Sequence, residues 1–250
     1  MVVLLPRVTN YMREYGMTMN RLFLWAALVL SLTACDKYRI EGVSSVSSLD
    51  GKMLFVKVWE EGRMTTVDSC EIVHGKFSMS GKVDSVVMAT LYMDDRPMMP
   101  LVIERGNIRI VIDDLKLAAS GTKLNDKLSG FIERQKSISG RADDLSHRES
   151  QMIMDGKDPA EIQEMVDSEE EKLSKEMNQL IKDFITGNYD NALGAGVFMI
   201  LCSNMPSPVM TPQIEELLDK APDSFRNHPF IKEFVTNAEE NTRRMKYGRE

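Results

Sequence analysis

Histidine and cysteine are scarce in this chain of 250 residues, which holds 3 of each. Cys35, Cys70 and Cys202 form no C-x-x-C pair. His74, His147 and His228 each lack a second His or Cys at the three- or four-residue spacing that aims two ligands from one helix face. No metal site and no cofactor are therefore expected. The G-x-S-x-G elbow, the G-x-x-x-x-G-K-[ST] phosphate loop and the G-x-G-x-x-G dinucleotide turn are also missing. No catalytic residue is assigned, and a non-catalytic protein is expected. Basic charge is short as well. The whole chain carries a net −7, and without residues 1–34 it has 28 Lys and Arg against 37 Asp and Glu, a net −9. Nucleic-acid binding draws its affinity from cations that neutralise phosphates, so such a partner is disfavoured. The cluster Arg243, Arg244, Lys246 and Arg249 reads as a solvated helix end that offsets the helix dipole.

A membrane-spanning run is absent too. The eleven residues Leu22–Leu32 fall short of the roughly 20 that a crossing helix needs, and polar Asp36-Lys37-Tyr38-Arg39 follows at once. With Arg21 in front and Thr33-Ala34 behind, the stretch reads as a signal peptide. A plain secretory cut after Ala34 would place bulky Leu32 where a small residue is wanted. Leu32-Thr33-Ala34-Cys35 instead resembles the lipobox pattern, which implies diacylglyceryl transfer to the Cys35 thiol and cleavage just before it. Residues 1–34 are thus expected to be leader, with translation starting at Met17 or Met19. Acyl chains on Cys35 would hold the body at a bacterial membrane in the cell envelope, the outer membrane favoured, facing the periplasm or the surface.

Residues 35–121 read as an antiparallel β-domain. Leu54, Val56 and Val58 share one strand side, Phe77 and Met79 another, and Ile108, Ile110 and Ile112 a third. Gly51, Gly62, Gly75, Gly81 and Gly106 mark hairpin turns, with His74 in one of them. From 122 to 250 the period is helical, so the fold class is α+β: a β-sandwich or barrel-like domain followed by an all-helical one. Gly156 ends one helix, and Asp158, Pro159 and Glu161 form a capping-box start for the next. That helix carries Ile162, Val166, Leu173, Met177, Leu180 and Phe184 on one stripe, interrupted by Glu169, which predicts an antiparallel helical hairpin. Further helices are expected from about Asp190 to Cys202, Pro212 to Lys220 and Pro229 to about Met245.

Several features have a plainer reading than a functional one. Asp143-Asp144 and Glu169-Glu170-Glu171 suit solvated helix faces, since adjacent helical carboxylates neither converge nor differ in environment. Gly194 and Gly196 suit close helix packing, and the 19 methionines suit core filling. His228, just before Pro229, is expected in an exposed loop. Cys70 and Cys202 are either a disulfide, which an oxidising compartment permits, or two small buried apolar residues.

Tyr38-x-Ile40-x-Gly42, Leu49-Asp50-Gly51, Val67-Asp68-Ser69, Gly75-Lys76-Phe77-Ser78, Gly81-Lys82-Val83 and Ile103-Glu104-x-Gly106-Asn107-Ile108 together resemble domain of unknown function 4369. The likeness runs from Tyr38 to Phe131. It implies the N-terminal module of Bacteroidetes-type envelope lipoproteins that continue into a thioredoxin-like domain. Asn188–Gly194 and Asp223–Phe230 are similar to the helical connector of such relatives. Their W-C-x-x-C has no counterpart here, so thiol transfer is not carried over. The expected function is a lipid-anchored, non-catalytic binding or assembly module of the envelope. The alternative is an accessory or truncated relative of a thioredoxin-like exchange lipoprotein, with a thioredoxin-like protein as its partner.

Overall fold

The structure is a computed structural model and describes residues 36–247. The expected signal peptide and the expected lipid-attachment residue Cys35 lie outside the described residues. Eight strands come first: β1 (Lys37–Ser44), β2 (Met53–Glu60), β3 (Arg63–Glu71), β4 (Lys76–Lys82), β5 (Val87–Met93), β6 (Arg96–Ile103), β7 (Gly106–Ile112) and β8 (Leu117–Ser120). They form two four-stranded sheets, ordered β4-β1-β7-β8 and β3-β2-β5-β6. The pairings are antiparallel except for β1 with β7, which run parallel from Tyr38↔Gly106 to Ser44↔Ile112.

Strand alternation builds the core between the sheets. Ile40, Ile108 and Ile110 from one sheet and Leu54, Val56, Leu91 and Leu101 from the other are almost wholly buried in a single cluster. Two of the turns that fold the strands back share a geometry. Glu61-Gly62 and His74-Gly75 each place two successive residues at positive φ, 49° and 80°, then 50° and 69°. This is the two-residue turn whose twist matches the strands it joins. His74 is exposed in that turn.

Gly81 departs from its expected place in a turn. It lies inside β4 opposite Tyr38, and a Cβ there would come within 2.7 Å of the Tyr38 ring. Four register positions along, Gly42 faces Phe77, whose ring would meet a Cβ at 1.9 Å. Each glycine thus lets an aromatic ring lie flat across the neighbouring strand. The Tyr38 hydroxyl then donates to Asp68 Oδ2 (2.7 Å), bonding β1 to β3 of the other sheet. Burial, and next the Asp68 bond, push the Tyr38 hydroxyl well above its ordinary range, so it stays protonated as a donor.

The helices are α1 (Lys123–Met154), α2 (Pro159–Thr186), α3 (Ala192–Ser203), α4 (Pro212–Asp219), the single turn α5 (Asp223–Arg226) and α6 (Pro229–Tyr247). Asp158 caps α2 by accepting from the Ala160 N–H (2.8 Å) and, more weakly, the Glu161 N–H (3.4 Å). α1 and α2 form the expected hairpin, with Leu145, Ile162 and Val166 buried together towards its tip. Glu169, the break in the stripe, pairs with Lys172 (2.8 Å). That bond, with Arg148 and Arg141 of α1 adding to it, holds the carboxyl below its usual range.

From Lys37 onward the chain is one compact unit, and the sheets and helices meet on a defined seam. Met88 and Val102, on the outer face of β5 and β6, belong to the helical core with Leu128, Ile185, Phe198 and Ile214. Among the described residues no helix is long and apolar enough to cross a membrane.

Candidate functional site

A buried polar clip holds this seam. β6 is an edge strand, so Val102 has a peptide group with no strand to pair. Asn125, fully buried in the first turn of α1, supplies the missing partner. Its Oδ1 accepts from the Val102 N–H (2.9 Å), and its Nδ2 donates to the Val102 carbonyl (2.8 Å) and to Thr122 Oγ1 (2.8 Å). Just past β6, Glu104 Oε1 accepts from the N–H groups of Leu124 (2.8 Å) and Asn125 (3.2 Å), free donors at the start of α1. A side-chain amide and a carboxylate thus stand in for a strand and a helix cap.

α3 lies over the seam, and its sequence allows a very close fit. A Cβ at Gly196 would sit 2.5 Å from Met88 Cγ, and one at Gly194 would sit 2.3 Å from the Asn188 carbonyl oxygen. Both glycines therefore serve backbone approach, as their spacing suggested.

Cavities open on either side of α3. One, of about 400 Å³, lies between β5, β6 and α1, α2, α3, floored by Leu128, Phe131 and Val197. Phe131 is fixed there by stacking on Phe184, ring centres 4.2 Å apart. Its polar contribution is neutral: Thr90, Gln135 and Asn204. This volume falls in the range of small-molecule sites, roughly 300–1,000 Å³, which combine apolar walls with a few polar groups. On the other side a cleft of about 530 Å³ holds Trp59, Tyr189, Asp190, Asn191, Ser224 and His228. Trp59 is held edge-on to Phe230 of α6 at 5.3 Å between ring centres.

His228 corrects the sequence expectation of an exposed loop. It is half-buried, and its Nδ1 is shielded with no hydrogen-bond partner. It joins α5 to α6, and both pack on Phe198 of α3, α5 through Phe225 and α6 through Phe234. Burial disfavours the imidazolium and pushes the His228 pKa below its ordinary 6.5. The unfolded chain then binds the proton more readily. This contribution to stability is present above pH 6.5 and is lost as pH falls towards the lower folded value. Thermal melts at pH 7.5 and 5.5 should show a larger drop in Tm for the native chain than for His228→Asn. Equal drops would remove His228 from the acid response.

The cysteines stand apart. Cys202 is buried in the helical core, while half-buried Cys70 packs against the sandwich core, and both are free thiols. The disulfide alternative is not formed here. Burial pushes Cys202 up to about 12 and raises Cys70 as well, so neither is a ready nucleophile at neutral pH. Asp143 and Asp144 are exposed on α1, and Glu171 pairs with Lys175 (2.6 Å), which holds its carboxyl low. Arg244 pairs with Glu240 (2.5 Å) and Arg243 reaches Glu239 (4.0 Å) along α6. Among the described residues no group of three or more His, Cys, Asp or Glu is arranged to hold a metal ion.

The motifs that carried the family resemblance meet in space. Tyr38, Asp68 and Gly81 form one contact set, Gly42 and Phe77 the next, and Glu104 caps α1. Residues 38–128 match the family model Domain of unknown function (DUF4369). The DUF4369 segment thus takes in the whole two-sheet body and the first turn and a half of α1, ending at Leu128, a floor residue of the neutral cavity. Its end beyond β8 has a physical reason, because Asn125 and Glu104 make the start of α1 part of the sheet structure. Comparison with curated proteins and with solved structures gives no match.

Sequence reasoning missed Asn125 and the cavity. Asn125 had a legible signal: it is a polar residue set between Leu124 and Leu128 on the face that buries. The cavity had none, since its walls come from five separate elements.

Proposed function

We propose that this protein is a lipid-anchored lipoprotein of the bacterial cell envelope, tethered through Cys35, whose body is a non-catalytic binding or assembly module. The observation that carries the tether is Leu32-Thr33-Ala34-Cys35 directly after the apolar stretch Leu22–Leu32. The binding role draws support from the neutral cavity beside α3, of small-molecule size. Cys35 lies two residues before β1, so the tether would join the body at the end where Lys37 pairs with Lys82. Metabolic labelling with an alkyne fatty acid tests this reading. The chain should take up the label at Cys35, and an unlabelled chain would refute the tether.

A second reading draws on the DUF4369 match together with the absence of paired thiols: the body serves as accessory to a separately encoded thioredoxin-like protein. Cross-linking with such a partner would favour it, with retention lost on removal of the partner's domain.

A further inference from the structure

We propose that the cavity beside α3 binds a neutral, predominantly apolar small molecule carrying a hydrogen-bonding group, and that it discriminates against charged amphiphiles. None of the residues lining it is charged, in a chain that is 28% Asp, Glu, Lys and Arg. Three other clefts each carry charge: Asp190 in one, Glu71 and Arg109 in another, Arg141 and Glu176 in the third. An ion entering the neutral cavity would lose water and gain no counter-charge, which costs far more than burying an uncharged group.

The occupant's size and kind follow from the walls. β6 is an edge strand, yet Pro97 and Pro100 have no N–H to offer a new strand, and Asn125 already holds both peptide groups of Val102. Strand addition by a peptide is closed off on that wall. What remains is a compact space floored by the stacked Phe131, suited to an aromatic or alicyclic ring system. Gln135 and Asn204 make no side-chain hydrogen bond to another described residue, so both amides are free to receive the ligand's polar group.

This inference rests on the binding reading above and makes it specific. A matched probe pair tests it: N-phenyl-1-naphthylamine is neutral with one N–H, and its 8-sulfonate has the same rings with a negative charge. The protein used is the chain from residue 36 onward, which contains every core described above. The neutral probe should bind one saturable site at low-micromolar concentration, with the sulfonate at least tenfold weaker. Ile132→Arg should weaken the neutral probe at least tenfold. Ile200→Arg, at a side chain already 40% exposed, should do so without loss of fold, and Gln135→Leu should cost a few-fold. No binding, equal affinity for both probes, or affinity unmoved by Ile200→Arg and Gln135→Leu would each overturn the proposal. Acylation of Cys35 in the full chain, with no probe bound by the body from residue 36 onward, keeps the tether and removes the ligand site; an unmodified Cys35 in the full chain, with probe bound by that body, does the reverse.

Discussion

Asn125→Leu should lower stability by about 2–5 kcal/mol, because it leaves a buried N–H and a buried carbonyl at Val102 unpaired, each costing about 1–3 kcal/mol. The leucine adds apolar volume where Asn125 is fully buried, and nothing in it can bond β6. For a body of this size, Tm should fall by roughly 5–15 °C. Asn125→Asp should fall as well, since it keeps an acceptor for the Val102 N–H but loses both donor bonds and buries a carboxyl. Amide exchange at Val102 should speed up in both variants. A Tm for Asn125→Leu within about 2 °C of the native chain would mean that the clip does not hold sheet and helices together.

Local chemistry explains which parts of this architecture could be read in advance. Helix starts at Pro159 and Pro212 were legible because a cap, a proline and an apolar stripe all lie within a few residues of one another. The buried strand faces were legible because alternation is a property of each strand alone. The parallel pairing of β1 with β7 was not, since it joins residues about 70 positions apart and leaves no mark in either segment. Gly81 was read as a turn from its neighbours Ser80 and Lys82, whereas its role is set by Tyr38 across the sheet. His228 was misjudged for a similar reason. A residue next to a proline at a helix start is often exposed, but this one joins α5 to α6, whose Phe225 and Phe234 both pack on Phe198, and its Nδ1 is buried. The candidate cavity combines positions from Thr90 to Asn204, so no window of sequence contains it.

Behind an ordinary secretory leader that is cut off without lipid transfer, Cys35→Ala should shift the protein from the membrane pellet to the soluble fraction almost completely. Each buried methylene is worth about 0.8 kcal/mol, so two acyl chains hold a body that one chain would hold only marginally. The described residues offer no replacement span. Behind its own leader the variant should stay uncut, because on the proposed reading cleavage before residue 35 follows lipid transfer, and so it should run larger on a gel. Its melting curve should match the native body, because β1 begins at Lys37 and every described core lies beyond it. Unchanged pelleting of Cys35→Ala once its leader has been cut off would place the attachment elsewhere.

Mass spectrometry of the N-terminal peptide of the native protein, recovered from membranes, decides whether Cys35 is the point of attachment. The mature chain should start at Cys35 and carry a diacylglyceryl group in thioether linkage. A mature chain with an unmodified Cys35, or one cut elsewhere, would contradict it.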